Sequence, residues 1–449
     1  MAGARVCMAI AAAALGLAAP VAAAAQERAG DRVFLVRDKP GTPTQFHMIV
    51  HAGCADESEG RCRGLAHYLE HLVLTGRNPE HADRAARLFP DATSNGHTSS
   101  TATVYVHTVP ARAEGPRADL EKLFGFYAGR LRDFAISEEE AARERNVVLQ
   151  EHDWRVGSSA FRRFERRLDR ELLPNHPMGL WTIGTRESIQ ALTVAEAKAF
   201  HRDWYTINNA YFTVRADIDA RALREIADKA FAGLTARQLP RRFSARRPAI
   251  TFDRRDIRES DPQVTNASVY YKKLVRMAEG DSVPQRSARV LYLNYLRSRL
   301  PGSAYHALVD AANLAAGEPQ ISLGKVAPRT FRLRITAQTA PDATPEALLA
   351  GIAAYVDGLG KAPPGPEVLD RLKKRFADAQ ANDNKDPARV YSRLVSWLTS
   401  RNPYDQLGQW PARIAAVSPG DIDYLAEGLA SRGRVVTGIL TPAIAEASK

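Results

Sequence analysis

Gly64-Leu65-Ala66-His67-Tyr68-Leu69-Glu70-His71-Leu72 sets two histidines four apart, with a glutamate three after the first, inside a helical apolar pattern. Residues at i, i+3 and i+4 share one face of a helix, so both imidazoles and the Glu70 carboxylate stand within reach of one metal ion. Leu65, Leu69 and Leu72 fall at i, i+4 and i+7 and form an opposite, apolar stripe that packs into a core. Three ionisable groups gathered on a packed helix need a reason, because burying such groups without partners is costly.

The pattern His67-x-x-Glu70-His71 is the inverted zinc-peptidase signature. In that chemistry His67 and His71 are metal ligands, and Glu70 handles the proton of the attacking water as general base. A hydrolytic zinc site needs a third protein ligand and one open position. Glu144-Arg145-Asn146-Val147-Val148-Leu149-Gln150-Glu151 offers that ligand on a second helix, its two glutamates seven apart on one face. Glu151 is expected to bind the metal, one Zn2+ per chain, and Glu144 to orient a ligand from behind. His152 is a poor co-ligand, since neighbours on a helix point about 100° apart. His97 and His107 flank a strand that can meet peptide, while His47, His51, His81, His176, His201 and His306 are expected to pack or face water.

The chain has 449 residues and a formal charge of +11. Residues 1–25 read as a secretory signal peptide: Arg5, then an alanine-rich apolar run, then small residues up to Ala25. The expected location is therefore the periplasm or the exterior, after cleavage near Ala25, with no later stretch apolar enough to span a membrane. Of three cysteines, Cys7 leaves with the signal. Cys54 and Cys62 remain, and they either close a short loop in an oxidising compartment or stay as free thiols. The arginines are dispersed, as in Arg162-Arg163, Arg166-Arg167, Arg241-Arg242 and Arg246-Arg247, and no aromatic-interleaved basic module points to nucleic acid. Most are expected on solvated faces, with a weaker leaning towards acidic peptides or anionic surfaces.

The mature length exceeds what one core organises, so two domains are expected. Residues 236–256, polar and marked by Pro240 and Pro248, read as a linker between an N-terminal catalytic domain (26–235) and a C-terminal domain (257–449). In the first, Val33–Val36, Gln45–Val50, Thr101–Val109 and Tyr211–Ala216 read as strands, with Ser94-Asn95-Gly96 as the turn before the third. Helices are expected at Leu120–Phe134, from a Ser137/Glu140 capping box to about Trp154, and from a Thr193/Glu196 box to near Tyr205. The second domain repeats the order: strands, a helix near Ser287–Leu300, Phe331–Thr336, Pro345–Gly358, further helices to Ser400 and a terminal strand at Val435–Leu440. Strands and helices mix without a strict βαβ beat, which indicates α+β layers.

The sequence resembles the pitrilysin or insulinase-like peptidases, in the short two-domain form of the mitochondrial processing peptidases. Gly64 to Gly76 is similar to the family's zinc helix. Asn95-Gly96-His97-Thr98 followed by Thr103-Val104-Tyr105 is similar to its N-A-x-T strand, and Glu144 to Glu151 to its E-R-x-V-x-x-E helix. Gly184 to Ile189, Phe200 to Tyr205 and Asn209 match further landmarks. The resemblance implies two similar domains, each a mixed, mostly antiparallel sheet packed with helices. It implies His67, His71 and Glu151 as zinc ligands, Glu70 as base and Glu144 as support. It further implies that peptide adds a strand to an exposed sheet edge, here the Ser99–Val106 strand, touching Asn95, His97 and Thr98. In the second domain Arg299 and Tyr305 stand near the family's arginine and tyrosine, but Pro301-Gly302 interrupts the helix that should hold them. A homodimer, or a heterodimer with a related subunit that supplies those groups, is the implied assembly. A non-catalytic or partner-dependent subunit is the alternative.

Overall fold

The computed structural model describes residues 26–75, 85–133, 135–242, 248–278 and 282–443. The expected signal peptide, His81 and the Arg246-Arg247 pair lie outside them. The first half runs β1 (Glu27–Arg28), β2 (Val33–Arg37), β3 (Thr44–Val50), α1 (Leu65–Thr75), α2 (Ala85–Leu88), β4 (Thr93–Thr98) and β5 (Thr103–Val109). It continues through α3 (Arg117–Arg132), α4 (Glu138–Gly157), α5 (Ala160–Leu172), α6 (Arg186–Gln190), α7 (Val194–Trp204), β6 (Ala210–Ala216) and α8 (Ala220–Phe231). The second half runs β7 (Arg254–Asp261), β8 (Ser268–Arg276), α9 (Val283–Arg297), β9 (Gln320–Ala327) and β10 (Thr330–Gln338). After these come α10 (Pro345–Gly358), α11 (Pro366–Asp383), α12 (Pro387–Thr399), α13 (Trp410–Ala415), α14 (Pro419–Ala430) and β11 (Arg434–Pro442).

The two sheets have the same winding. Strand order is β1-β2-β6-β3-β5-β4 in one and β7-β11-β8-β10-β9 in the other. In each, the first long strand pairs in parallel with the last, β2 with β6 and β7 with β11, and the other neighbours are antiparallel. The fold is α+β, two similar mostly antiparallel sheets layered with helices.

Each half also lends a helix to the other's sheet. Phe164, Leu168 and Leu172 of α5 share a core with Tyr270, Leu274, Val436 and Leu440. Val390, Tyr391, Leu394 and Leu398 of α12 share one with Phe34, Val36, Ile49 and Val104. Both faces of a sheet are then covered, which is why β8 is buried from Ser268 to Val275 without polar alternation.

Several expectations are corrected. Ser94-Asn95-Gly96 lies inside β4, and the hairpin turn comes after Thr98. Strand β4 is thus the sheet edge, while β5 is interior, paired on both sides by β3 and β4. The exposed sheet edge is Thr93–Thr98 and not Ser99–Val106. Strand β7 starts at Arg254, inside the stretch read as linker. Arg242 is not a solvated charge: with Arg401 it clasps the buried Asp56 carboxylate, at 3.1 and 3.0 Å. Helices α13 and α14 lie in a region read without elements.

Candidate metal centre

Helix α1 is anchored at its start by three devices. Gly64 has φ +90, and a Cβ there would overlap the Ile183 carbonyl, so only glycine fits. Cys54 and Cys62 form a disulfide that closes the preceding loop. That loop carries Glu57, whose buried carboxylate accepts hydrogen bonds from the backbone N–H groups of Ala66 (3.0 Å) and Arg63. It satisfies donors that a helix start leaves without partners. Burial pushes the Glu57 carboxyl up to about 7, against the pull of those donors. Helix α4 opens on the Ser137/Glu140 capping box, and Tyr68 of α1 donates its hydroxyl to the Ala141 carbonyl of α4 at 2.7 Å.

This docking brings the expected ligands together. His67 Nε2 lies 3.4 Å and His71 Nε2 3.5 Å from Glu151 Oε2. One ligand atom from each of the three residues falls within a 4.8 Å span. Tetrahedral ligands at about 2.0–2.1 Å from a zinc ion stand roughly 3.4 Å apart, so the donor set fits that ion. His67 is buried, whereas His71 and Glu151 keep 21% and 25% side-chain exposure, leaving a side open to a reactant. Glu144 Oε2 sits 3.6 Å from His71 Nδ1, the ring nitrogen opposite the one that meets Glu151, and Arg155 pairs with Glu151. His67 Nδ1 is buried with no hydrogen-bond partner among the described residues.

Charge is unevenly shared within the cluster. Burial, followed by the neighbouring His71, holds His67 well below an ordinary imidazole, at about 4. Burial works against a proton on His71 too, but Glu144 and Glu151 outweigh it and raise that ring to about 9. These neighbours favour a proton on His71 over one on His67, and a divalent cation would bind that ring in place of the proton. Burial lifts the Glu70 carboxyl to about 7, partly offset by Thr98.

Glu70 faces the sheet edge. Its Oε2 accepts from Thr98 Oγ1 at 2.5 Å, and a Cβ on Gly96 would overlap its Oε1. Asn95 and His97 are exposed on the same strand, the Asn95 amide oxygen accepting from Gly96 N. His107 is fully buried between Ser94 and Tyr127 hydroxyls, so it does not reach a peptide. His152 packs on Trp181, away from the ligands. Arg299 and Tyr305 meet each other, guanidinium 4.5 Å from the ring centroid, and among the described contacts neither joins the cluster. Helix α9 stops at Arg297, short of Arg299, and the chain turns at Pro301-Gly302, between Arg299 and Tyr305.

Sequence reasoning missed Glu57, Tyr68 and Gly96 as parts of this arrangement. Gly96 carried a visible signal, a glycine inside a strand pattern, which marks close approach. Glu57 carried none, since a cap from a folded-back loop obeys no fixed spacing.

The model described as insulinase (peptidase family M16) matches residues 32–185, and the one described as peptidase M16 inactive domain matches 191–376. Helicobacter pylori zinc protease PqqE is 28% identical over 193 residues, covering 42% of this chain and 42% of that protein. The Neurospora crassa mitochondrial-processing peptidase subunit beta is 26% identical over 191 residues, covering 42% and 38%. The alignments thus span less than half of these relatives. Among solved structures, a Helicobacter pylori protease aligns with TM-score 0.75 at 21% identity, over 91% of this chain and 96% of that one. The first half of the Escherichia coli periplasmic protease PqqL aligns with TM-score 0.73 at 17% identity, over 92% and 90%. These structural matches establish the fold.

Proposed function

The chain belongs to the insulinase-like M16 peptidase family, and from that premise we propose that it is an exported zinc metallopeptidase that cuts extended peptides. One observation carries the reading: His67, His71 and Glu151 converge from two helices within 4.8 Å while Glu70, on the same helix as the histidines, faces the open edge strand. A zinc ion held there contributes Lewis acidity, polarising a carbonyl and acidifying water. The chain's own residues do the rest. Glu144 orients the His71 ring through Nδ1, so that Nε2 points at the ligand position. The backbone of β4 pairs with an extended peptide and lays its scissile bond beside Glu70. Glu70 takes the proton of the attacking water on its carboxylate and returns it to the leaving amine. Thr98 holds that carboxylate in place from the strand itself.

The deciding experiment measures metal content and cleavage of a quenched peptide together. The chain should hold about one zinc, and Glu70→Gln should lower kcat roughly 10²–10⁴-fold while the zinc stays. Glu151→Gln should lose the zinc. Full activity in the Glu70→Gln chain would sink the base assignment, and zinc retained by Glu151→Gln would sink the ligand assignment.

The separation of Arg299 and Tyr305 from the cluster favours a second reading, in which a related subunit completes the site. A dimer, homomeric or heteromeric, then precedes activity. Size exclusion alongside the cleavage assay separates the two: activity of the isolated chain supports a self-sufficient enzyme, and activity only with a second subunit supports the partnered one. Residues 1–25 would direct export to the periplasm or beyond, with cleavage near Ala25; N-terminal sequencing of the exported chain tests this.

A further inference from the structure

A cavity of about 850 Å³ lies between the halves, apart from the candidate metal centre. Five arginines and one lysine line it, and none of its lining residues carries a carboxylate. Asp56, just behind the wall, answers two of these charges, Arg242 and Arg401. Arg286 has no such answer. Among the described residues its guanidinium donates only to the amide oxygens of Asn402 (3.2 Å) and Gln406 (3.4 Å), and its Nε is buried with no partner. Arg393 donates to the amide oxygen of Asn384 and feels the Asp383 carboxylate, with no ion pair among the described residues. A half-buried guanidinium with no direct carboxylate partner keeps donors to spare, and its fork matches a carboxylate.

The position of the cavity relates it to the sheet edge. Thr98 touches Glu70, and Thr101, three residues further along the same hairpin, lines the cavity. The far wall includes Leu323 to Pro328, the end of the second sheet's own edge strand β9 and its turn. A strand added to β4 rises about 3.3 Å per residue, so a peptide lying beside Glu70 reaches the cavity in roughly three or four residues. Trp397 and Trp410, packed edge to face at 5.2 Å, form an apolar side of the wall beside the charged groups.

We infer that this cavity is a charge-selecting subsite, where Arg286 and Arg393 take glutamate or aspartate side chains of an extended peptide. The inference rests on the peptidase reading above and names the class of substrate it favours: unfolded, acidic segments whose acidic residues lie three or four positions from the scissile bond.

The test uses the zinc-loaded Glu70→Gln chain, which holds peptide without turnover, and two labelled peptides identical except that glutamates in one are glutamines in the other. Fluorescence anisotropy should show the glutamate peptide binding roughly tenfold tighter or more. Adding Arg286→Gln and Arg393→Gln should bring the two affinities together. If that variant fails to fold, a salt titration of the parent decides: the glutamate preference should shrink as salt rises, while binding of the glutamine peptide holds. Equal affinities in the parent chain, or a preference that survives both arginine changes or high salt, overturn the subsite. Cleavage by the unmodified chain is read separately. If it cuts neither peptide, the self-sufficient enzyme reading falls, and the anisotropy ratio still decides the cavity.

Discussion

The two halves wind their sheets in the same order and spend their interiors differently. The first buries Glu57, His67, Glu70, His107, Arg130 and His201 among its helices and behind its sheet. In the second, α9 follows β8 as α1 follows β3, yet α9 and its surroundings carry Tyr292 and Tyr295 stacked at 6.0 Å and no metal-binding set among the described residues. His306 is the second half's single histidine. A similar layout therefore tolerates both an interior that gathers metal-binding side chains and one that gathers none among the described residues. The chemistry resides in substituents that the fold accommodates and does not require.

The seams where the halves exchange helices differ in the same spirit. Asp169 of α5 meets buried Lys272 at 2.7 Å and Arg332 at 3.2 Å, with Glu165 pairing Arg334 at 3.0 Å. The α12 seam is neutral: the Tyr391 hydroxyl bonds His47 Nδ1 at 2.8 Å and the Thr213 carbonyl at 3.0 Å. Removing one member of a buried charged set strands its partners, so Asp169→Ala should cost about 3–5 kcal/mol. Tyr391→Phe, the parallel cut in the neutral seam, should cost about 1–2 kcal/mol. Urea unfolding of both variants measures the contrast; similar losses would show that the charged seam has no special weight.

The disulfide separates the halves again, since Cys54–Cys62 staples the first and the second has no cysteine. Closing so short a loop limits the unfolded chain by about 2–3 kcal/mol on the chain-entropy account. Cys54→Ser with Cys62→Ser should lower the melting temperature by that equivalent and loosen Glu57 from the start of α1. Zinc affinity should fall with it. Unchanged metal affinity would mean that the loop is not what positions the helix.

Helix α1, helix α4 and the clustering of His67, His71 and Glu151 are legible in the chain because helical period leaves fixed spacings. Strand β4 reads as a turn from the sequence because Asn95-Gly96 imitates a hairpin turn, although Gly96 is there to make room for Glu70. The helix exchange was not legible at all. Phe164, Leu168 and Leu172 announce an apolar face on α5, but nothing local says which sheet that face covers. Arg242 and Arg401 were unreadable for the same reason, since Asp56 reaches them only through the tertiary fold.

Acid should sharpen the contrast between the seams. His47 and His51 both face α12, His51 Nε2 lying 2.8 Å from the Leu398 carbonyl. Burial is the main cause that lowers each from 6.5 to about 4. A depressed folded value means that the unfolded chain binds the extra protons. The stability these rings contribute is therefore complete above pH 6.5 and is lost as pH falls towards 4. At pH 5 the loss is about 2 kcal/mol per histidine. The α12 seam should open first, read as earlier proteolysis or faster hydrogen exchange in Pro387–Thr399 than in Ala160–Leu172. Equal exchange of the two helices from pH 7 to 4.5 would erase the distinction.

The smallest effect on stability should fall on the position that most concerns chemistry. Gly96 lies on an exposed edge strand, where a methyl group is ordinarily harmless, and its own backbone needs no glycine geometry. Its one constraint is the Glu70 carboxylate, which a Cβ would displace. Gly96→Ala should therefore change the unfolding free energy by less than about 1 kcal/mol and leave the zinc in place. By moving the base off its line to the scissile bond, it should lower kcat by about 10–100-fold, with KM little altered. The corresponding edge strand of the second half, β9, supplies the control, since a Cβ at Gly324 meets nothing within 4 Å. Gly324→Ala should leave both stability and kcat near the parent value. A fall in kcat for both substitutions would point to general loosening of the sheet edges, whereas a fall for Gly96→Ala alone ties the loss to the contact with Glu70.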